Sequence, residues 1–287
     1  MEEKIKRSLI KKYFSEDTYI ELLKITKIAS ISNNEKNILI KDLLKKKGIP
    51  FSSLGPGTNR MAVNIDGYAV KFALDSDGMI DNRREFKYTK KLQPYVIKVY
   101  ECTQNGLIAV TEFVELFTID DFHMEKETLR KILQEVSGSY LIGDVGINSK
   151  NYVNWGRRND GQIVMLDFAY IYSVSFKSFR CSCDDMALLK YDDNFVKLIC
   201  PVCGKSYDFA DVRRRISKKD QEKEIGNILD YSYKVTEDNQ SIPVIEEYEP
   251  DMIREKKKSK SEKERRKAEY QAFLEEQKRI EREGYWG

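Results

Sequence analysis

The chain has 287 residues, 41% apolar and 34% charged, enough for one sizeable core with a smaller module and some solvated helix attached. Its 50 Lys and Arg nearly balance 47 Asp and Glu, so the net charge of +3 excludes a global attraction to polyanions and leaves only local clusters to supply one. No apolar run approaches the roughly 20 residues needed to cross a bilayer, which excludes a membrane partner of that kind.

The opening Met1-Glu2-Glu3-Lys4 lacks the basic and hydrophobic stretches of a secretory leader. Without a leader, five cysteines suit metal binding in a reducing compartment better than disulfides. A soluble, cytoplasmic protein is expected.

Up to about residue 48, apolar positions recur at helical spacing, as in Ile5, Leu9, Ile10 and Tyr13 and again in Tyr19, Leu22, Leu23 and Ile25. Two or three short helices are predicted. The pattern changes at Gly48-Ile49-Pro50, after which Met61, Val63 and Ile65, the turn Asp66-Gly67, and Tyr68, Val70 and Phe72 alternate as in a β-hairpin. From Asp81 to Leu92 there is no Gly or Pro, and this stretch reads as a helix capped by Asp81 and ended by Gln93-Pro94. Strands are expected over 96–101 and 107–113 around a turn at Gln104-Asn105-Gly106, then a helix over 126–136 and a strand over 163–166 following Gly161.

Two close cysteine pairs follow, Cys181-Ser182-Cys183 and Cys200-Pro201-Val202-Cys203-Gly204. Zn²⁺ takes four tetrahedral thiolate or imidazole ligands, and a tight turn between paired cysteines delivers two at once. With a strand over 191–199 and another over 207–209, these four residues predict a zinc ribbon whose structural zinc replaces a core too small to fold unaided. Cys102 reads as a buried apolar residue, and His123, without a cysteine neighbour, as a surface or interface residue.

Arg213-Arg214-Arg215 and Lys218-Lys219 put a basic patch beyond the ribbon that can contact phosphate. Asp208, Asp211 and Asp220 flank it, so a solvated helix end is the other reading. The tail from Arg254 to Glu283 is rich in Lys, Arg and Glu, and the pairs Glu262–Arg266 and Glu275–Arg279 favour a solvent-exposed helix over a nucleic-acid arm.

An ordered set of polar residues runs through the first half of the chain. Gly55-Pro56-Gly57-Thr58 lies between two strands, where glycine lets backbone N–H groups approach phosphate. Lys71 sits within the apolar strand Tyr68-Ala69-Val70-Lys71-Phe72-Ala73; it either faces solvent or needs an anion, and Glu85 on the following helix can supply one. Asp167 ends an apolar strand and, with Asn154, offers oxygen ligands suited to Mg²⁺. Asp144, in Gly143-Asp144-Val145-Gly146, is a candidate proton acceptor.

Residues 49 to about 175 resemble the protein-kinase-like superfamily. In that likeness Ala69-Val70-Lys71 stands for the strand lysine motif, Asp167-Phe168-Ala169 for the metal-binding Asp-Phe-Gly, and Thr111-Glu112-Phe113-Val114 for the hinge that contacts adenine through Glu112 and Val114. The wording around Gly57-Thr58-Asn59-Arg60, Asp81-Asn82 and Asn154-Trp155-Gly156 also resembles divergent kinase-like proteins of tailed bacteriophages, which would place the chain in a host cytoplasm.

The resemblance implies an α+β, bilobal protein-kinase-like fold with a reduced C-lobe, an appended four-cysteine zinc ribbon and flanking helices. Its divisions would be an N-terminal helical segment at 1–48, an N-lobe at 49–116, a reduced C-lobe core at 117–178, the ribbon at 179–212 and a charged tail at 213–287. It further implies ATP and Mg²⁺ as ligands: Gly55, Gly57 and Thr58 over the phosphates, Lys71 and Glu85 positioning them, Asn154 and Asp167 on the metal, and Asp144 as base.

Several positions depart from the family pattern. Arg60 replaces the third loop glycine, Pro56 removes an N–H, and Ala169 replaces the last glycine of Asp-Phe-Gly. Ser149 stands where the family has its catalytic Asp, so either the loop carries an insertion that lets Asp144 serve or no base survives, and Asn151 is an alternative metal ligand. The expected function is Mg-ATP binding with phosphoryl transfer to a protein Ser or Thr or a small-molecule hydroxyl. The alternative is an inactive scaffold whose ribbon and tail bind protein or nucleic acid.

Overall fold

A computed structural model describes residues 8–183, 187–217 and 220–221. It is a mixed α and β structure. The N-terminal helices are α1 (Leu9–Tyr13), α2 (Glu16–Lys27) and α3 (Asn33–Lys46), each started by a serine whose hydroxyl accepts a backbone N–H; Ser32 and Glu35 form a reciprocal capping box. Their apolar faces, including Leu22, Ile25, Ile40 and Leu44, share one core with Met61, Val63, Ile65, Val70 and Phe72. Buried Lys36 donates to the carbonyls of Thr26 and Leu74 at 2.9 and 2.8 Å, fastening the helices to the sheet.

The sheet is antiparallel and runs β1-β2-β3-β5-β4, from β1 (Ser52–Pro56), β2 (Arg60–Ile65), β3 (Tyr68–Ala73), β4 (Val99–Cys102) and β5 (Ile108–Glu112). The hairpin at Asp66-Gly67 pairs Ala62 with Lys71 and Val63 with Val70, as the alternation predicts. Period-two geometry sends Val63 and Val70 into the helix-covered core and puts Ala62 and Lys71 on the opposite face.

Helix α4 (Ser76–Thr89) corrects the expectation that Asp81 is its cap: the cap is Asp75, whose carboxylate accepts the Gly78 N–H at 2.8 Å. Asp81 lies inside the helix, 5% exposed. The misplacement comes from Gly78, an unfavourable helix residue that is required here for close packing: a Cβ at this position would sit 2.1 Å from the Asn59 carbonyl oxygen.

A second core joins α4 and β4–β5 to the segments that follow, through Tyr88, Val99, Leu133, Trp155, Met165 and Phe168. These segments are β6 (Glu115–Leu116), α5 (Ile119–Met124), α6 (Lys126–Ser137), β7 (Tyr140–Ile142), β8 (Trp155–Arg157), β9 (Ile163–Met165) and β10 (Ile171–Ser173). They form one sheet of order β6-β8-β9 and another pairing β7 with β10. Among the described residues no helix is long and apolar enough to cross a membrane.

The cysteine region forms the sheet β11-β12-β13, from β11 (Lys190–Tyr191), β12 (Lys197–Ile199) and β13 (Ser206–Asp208), followed by α7 (Phe209–Arg213). The single strand expected over 191–199 is instead a hairpin. Asp192 turns the chain by accepting the N–H groups of Val196 and Lys197 at 2.7 and 3.1 Å, while Phe195 takes a left-handed φ of 57°. Phe209, expected in a strand, opens α7. The helix expected over 254–283, together with Lys218 and Lys219, lies outside the described residues.

Gly78→Ala is expected to lower stability by about 1–3 kcal/mol through overpacking against the Asn59 carbonyl. Urea denaturation measures this; an unchanged midpoint would show that the loop before β2 can yield.

Candidate charged cluster and four-cysteine site

Lys71, Glu85 and Asp167 come together from β3, α4 and the end of β9. The Lys71 ammonium donates to Glu85 Oε2 at 2.7 Å and to the Leu166 carbonyl at 2.9 Å, one residue before Asp167. Glu85 has no exposed side-chain surface, so its charge depends wholly on its partners. Lys71 therefore has the anion that its position inside an apolar strand required.

The second partner of Glu85 is Arg60, which sequence reasoning treated only as a replaced glycine. Its side chain, 10% exposed, lies 3.0 Å from Glu85 Oε1 and donates to Asp167 Oδ1 at 2.9 Å and to Asn82 Oδ1 at 3.3 Å. A signal for this was present: Arg60 and Ala62 lie on one face of β2, and Ala62 pairs with Lys71. Burial works against the Arg60 charge, and Glu85, Asp167 and Asp81 overcome it.

Burial likewise pushes the Asp167 carboxyl upward, but Arg60 and Lys71 outweigh it and hold the pKa below the usual carboxylate value. Buried Arg84 extends the cluster by donating to the Ala169 carbonyl at 3.1 Å. At Asp81 burial prevails over the pull of Arg60 and raises the pKa to about 6.

Asn154 and Asp144 form an adjoining pair. The Asn154 amide donates to the Asp144 carbonyl at 2.7 Å, and the Asn154 carbonyl accepts Leu166 N–H at 2.8 Å, so both stand beside the strand that leads to Asp167. Asp144 has a φ of 64°, a left-handed conformation that favours glycine or a short polar residue. Desolvation, then repulsion from Asp167, raises its pKa against the pull of Arg213. The Asn151 amide is engaged with the Gly146 carbonyl at 2.9 Å.

The glycine segment and the hinge residues stand apart from these contacts. Gly55 pairs with Ala62 within β1–β2, and the Gly57 N–H donates to the Arg60 carbonyl at 2.7 Å. The Thr58 carbonyl accepts from Asn33 at 2.8 Å. Glu112 binds Arg158 at 2.8 and 2.9 Å and gives its own N–H to the Lys98 carbonyl, while Val114 is buried. Phe113 and Leu116 are 43% and 50% exposed.

Cys181, Cys183, Cys200 and Cys203 converge, their sulfurs all within 4.8 Å of one another. Two of the separations, Cys181–Cys203 and Cys183–Cys200, are 3.6 Å, close to the edge of about 3.8 Å that four Zn–S bonds of about 2.3 Å would produce. The group can hold a metal ion, and its donor set suits structural zinc. Val202 and Cys203 direct N–H groups at Cys200 Sγ from 3.4 and 3.5 Å, and Tyr207 hydroxyl lies 3.0 Å from Cys181 Sγ, outer contacts that orient thiolate ligands. Cys102 is partly buried, and its burial raises the thiol to about 12; His123 is exposed on α5. Arg213 stacks 3.7 Å from the Tyr170 ring, Arg214 pairs with Asp211, and Arg215 lies over Tyr207, so the three arginines have contacts within the fold.

No family model matches the chain, and no curated protein matches it.

Asp81 makes stability depend on pH. The folded chain retains its proton up to about pH 6, whereas an unfolded aspartate loses it near 3.9, so this contribution is fully present below that value and is lost as pH rises to 6. Asp81→Asn should gain on the wild type over this window by up to about 3 kcal/mol. Parallel urea midpoints of the two proteins from pH 4 to pH 7 would contradict this.

Purified full-length chain is expected to hold one zinc ion, and chelation or Cys200→Ser to lower its thermal midpoint. Metal analysis with thiol counting checks this: four reactive thiols, no metal and an unchanged melt would exclude the site.

Proposed function

We propose that the chain is a kinase-like protein that binds Mg-ATP beside Lys71, with the β1–β5 sheet and its helices as the small lobe and residues 117–178 as a reduced large lobe. The observation that carries this reading is the convergence of a strand lysine, a helix glutamate and a strand-end aspartate, with Lys71 bridging Glu85 Oε2 at 2.7 Å and the carbonyl preceding Asp167 at 2.9 Å. Three separate segments contribute, and each residue type suits its task. The ribbon is read as a structural zinc module.

Asp167 and Asn154 offer hard oxygen donors on adjacent segments, a set that fits Mg²⁺. Bound with the nucleotide, that ion would neutralise phosphate charge. Lys71, oriented by Glu85, would hold phosphate oxygens, while exposed Phe113 and Leu116 offer apolar surface to the base. If transfer occurs, the acceptor hydroxyl oxygen gains the terminal phosphoryl group, its proton passes to Asp144, and ADP leaves. A raised pKa suits Asp144 to that acceptance. The acceptor would be a protein Ser or Thr or a small-molecule hydroxyl.

A second reading, an inactive scaffold whose ribbon and charged tail engage a protein or nucleic-acid partner, is favoured by Arg60. This cation already neutralises Asp167, and the Gly57 N–H is spent on the Arg60 carbonyl.

Calorimetric titration of zinc-loaded protein with ATP, with and without Mg²⁺, separates the two readings. Metal-dependent binding is expected, weakened tenfold or more (about 1.4 kcal/mol) in Asp167→Ala. Absence of binding would reject the first reading and select the scaffold; binding with phosphate transfer that is lost in Asp144→Asn would complete the first.

A further inference from the structure

The segment Ile142–Ile147, which carries Asp144, buries Ile142, Val145 and Ile147 in the second core and is held on its other side by the cysteine module. At its start, the Tyr191 hydroxyl of β11 accepts Ile142 N–H at 2.7 Å and donates to the Ile142 carbonyl at 2.6 Å, so one side chain does the work of a neighbouring strand. At its end, Ile147 N–H donates to the Asn194 carbonyl at 2.6 Å. Between these points two glycines let the module press on the backbone. A Cβ on Gly143 would lie 2.6 Å from the Phe209 ring, and one on Gly146 would lie 2.2 Å from the Phe195 carbonyl oxygen.

The same grip leads back to the cysteines. Tyr191 pairs with Leu198 in β12, which runs directly into Cys200, and β12 pairs with β13, which runs directly into Phe209. Leu141 and Tyr172, from β7 and β10, share one buried cluster with Cys181, Leu198, Cys200 and Phe209. The four sulfurs join the 181–183 turn to the 200–203 turn, and so clamp the hairpin that holds the Asp144 segment.

Asp144 needs such support. Its left-handed φ of 64° costs of order 1–3 kcal/mol and persists only where surrounding structure enforces it. The amides of Asn154 and Asn151 and the Trp155 indole also bond carbonyls of this segment, so its shape is passed on to Asn154.

We infer that the cysteine module, closed by a metal ion on its four sulfurs, is the positioning brace of the Asp144–Asn154 loop, with Tyr191, Phe195 and Phe209 as its positioning residues, so that metal occupancy at the four cysteines sets the geometry of this loop beside the charged cluster. The coupling stands on contacts alone; its consequence for proton transfer rests on the kinase-like reading. This is a route by which metal loss or thiol oxidation would disable a site built from other residues.

Hydrogen exchange by mass spectrometry on the full chain tests the brace without nucleotide. Chelation should accelerate exchange in 140–148 together with 187–209 and leave the amides of β2, β3 and β5 protected. Tyr191→Phe, with zinc retained, should accelerate exchange in 142–147 about tenfold while the β12–β13 amides stay as in the wild type. Loop exchange unchanged in Tyr191→Phe would overturn the proposal, as would a loop that stays protected while the chelated module exchanges. If chelation unfolds the whole chain, the Tyr191→Phe arm decides. Failure of ATP to bind would count against the kinase-like reading and leave these outcomes intact.

Discussion

The Glu85 carboxylate, without side-chain exposure and met by Lys71 and Arg60, is the constraint on which the charged cluster depends. A buried charge with no partner is too costly to keep, so β2, β3 and α4 must sit where their cations and anion meet. Arg60 then reaches Asp167 and Lys71 reaches the Leu166 carbonyl, which ties the first sheet to the strands that follow. Such a network adds little net stability over an apolar core of the same shape, but removing one member leaves the others stranded. Its value is in fixing one arrangement of four segments.

The cluster is locally neutral, two cations against two carboxylates, with Asp81 and Arg84 alongside. Of the two carboxylates Glu85 is wholly buried, whereas the Asp167 side chain is 47% exposed. Asp167 retains an ionised carboxylate because of Arg60 and Lys71, and any incoming cation must compete with the guanidinium or share the carboxylate with it. Asp144 has the opposite environment, since desolvation and the charge of Asp167 both raise its pKa. Two carboxylates near one another, one held ionised and one pushed toward protonation, is the kind of division that acid–base chemistry uses.

Two cores meet at the far side of the site, where Ile142, Val145 and Ile147 pack into the second core and the cysteine module closes on the same segment from outside. The module's own buried cluster is small, twelve residues that include Cys181 and Cys200 and that borrow Leu141 and Tyr172 from β7 and β10. A metal ion held by the four cysteines would supply the cohesion that apolar area cannot, and the contacts that would pass it to the segment are the Tyr191 hydroxyl, the Asn194 carbonyl and the two glycine approaches.

Local pattern was enough for the hairpin about Asp66-Gly67, the helix over 126–136 and the two cysteine pairs, because period, turn chemistry and ligand spacing are properties of neighbours in the chain. It was enough to select Lys71, Glu85, Asp144, Asn154 and Asp167 as residues of interest, and to suggest that Lys71 needs an anion. It misjudged α4, where Gly78 looked like a break and serves close packing against Asn59, and the 191–199 strand, where Asp192 folds the chain back. The alternation of β2 puts Arg60 on the Lys71 face, but its partners, on α4 and at Asp167, come from segments far along the chain. The grip of Tyr191, Phe195 and Phe209 on the Asp144 segment could not be read from spacing. By itself, then, the sequence determined the local elements, the metal-ligand set and the residue types of the cluster. Only the tertiary structure decided which charges neutralise one another and which module supports the loop, because pairing of buried charges and close backbone contact depend on distances between segments far apart in the chain.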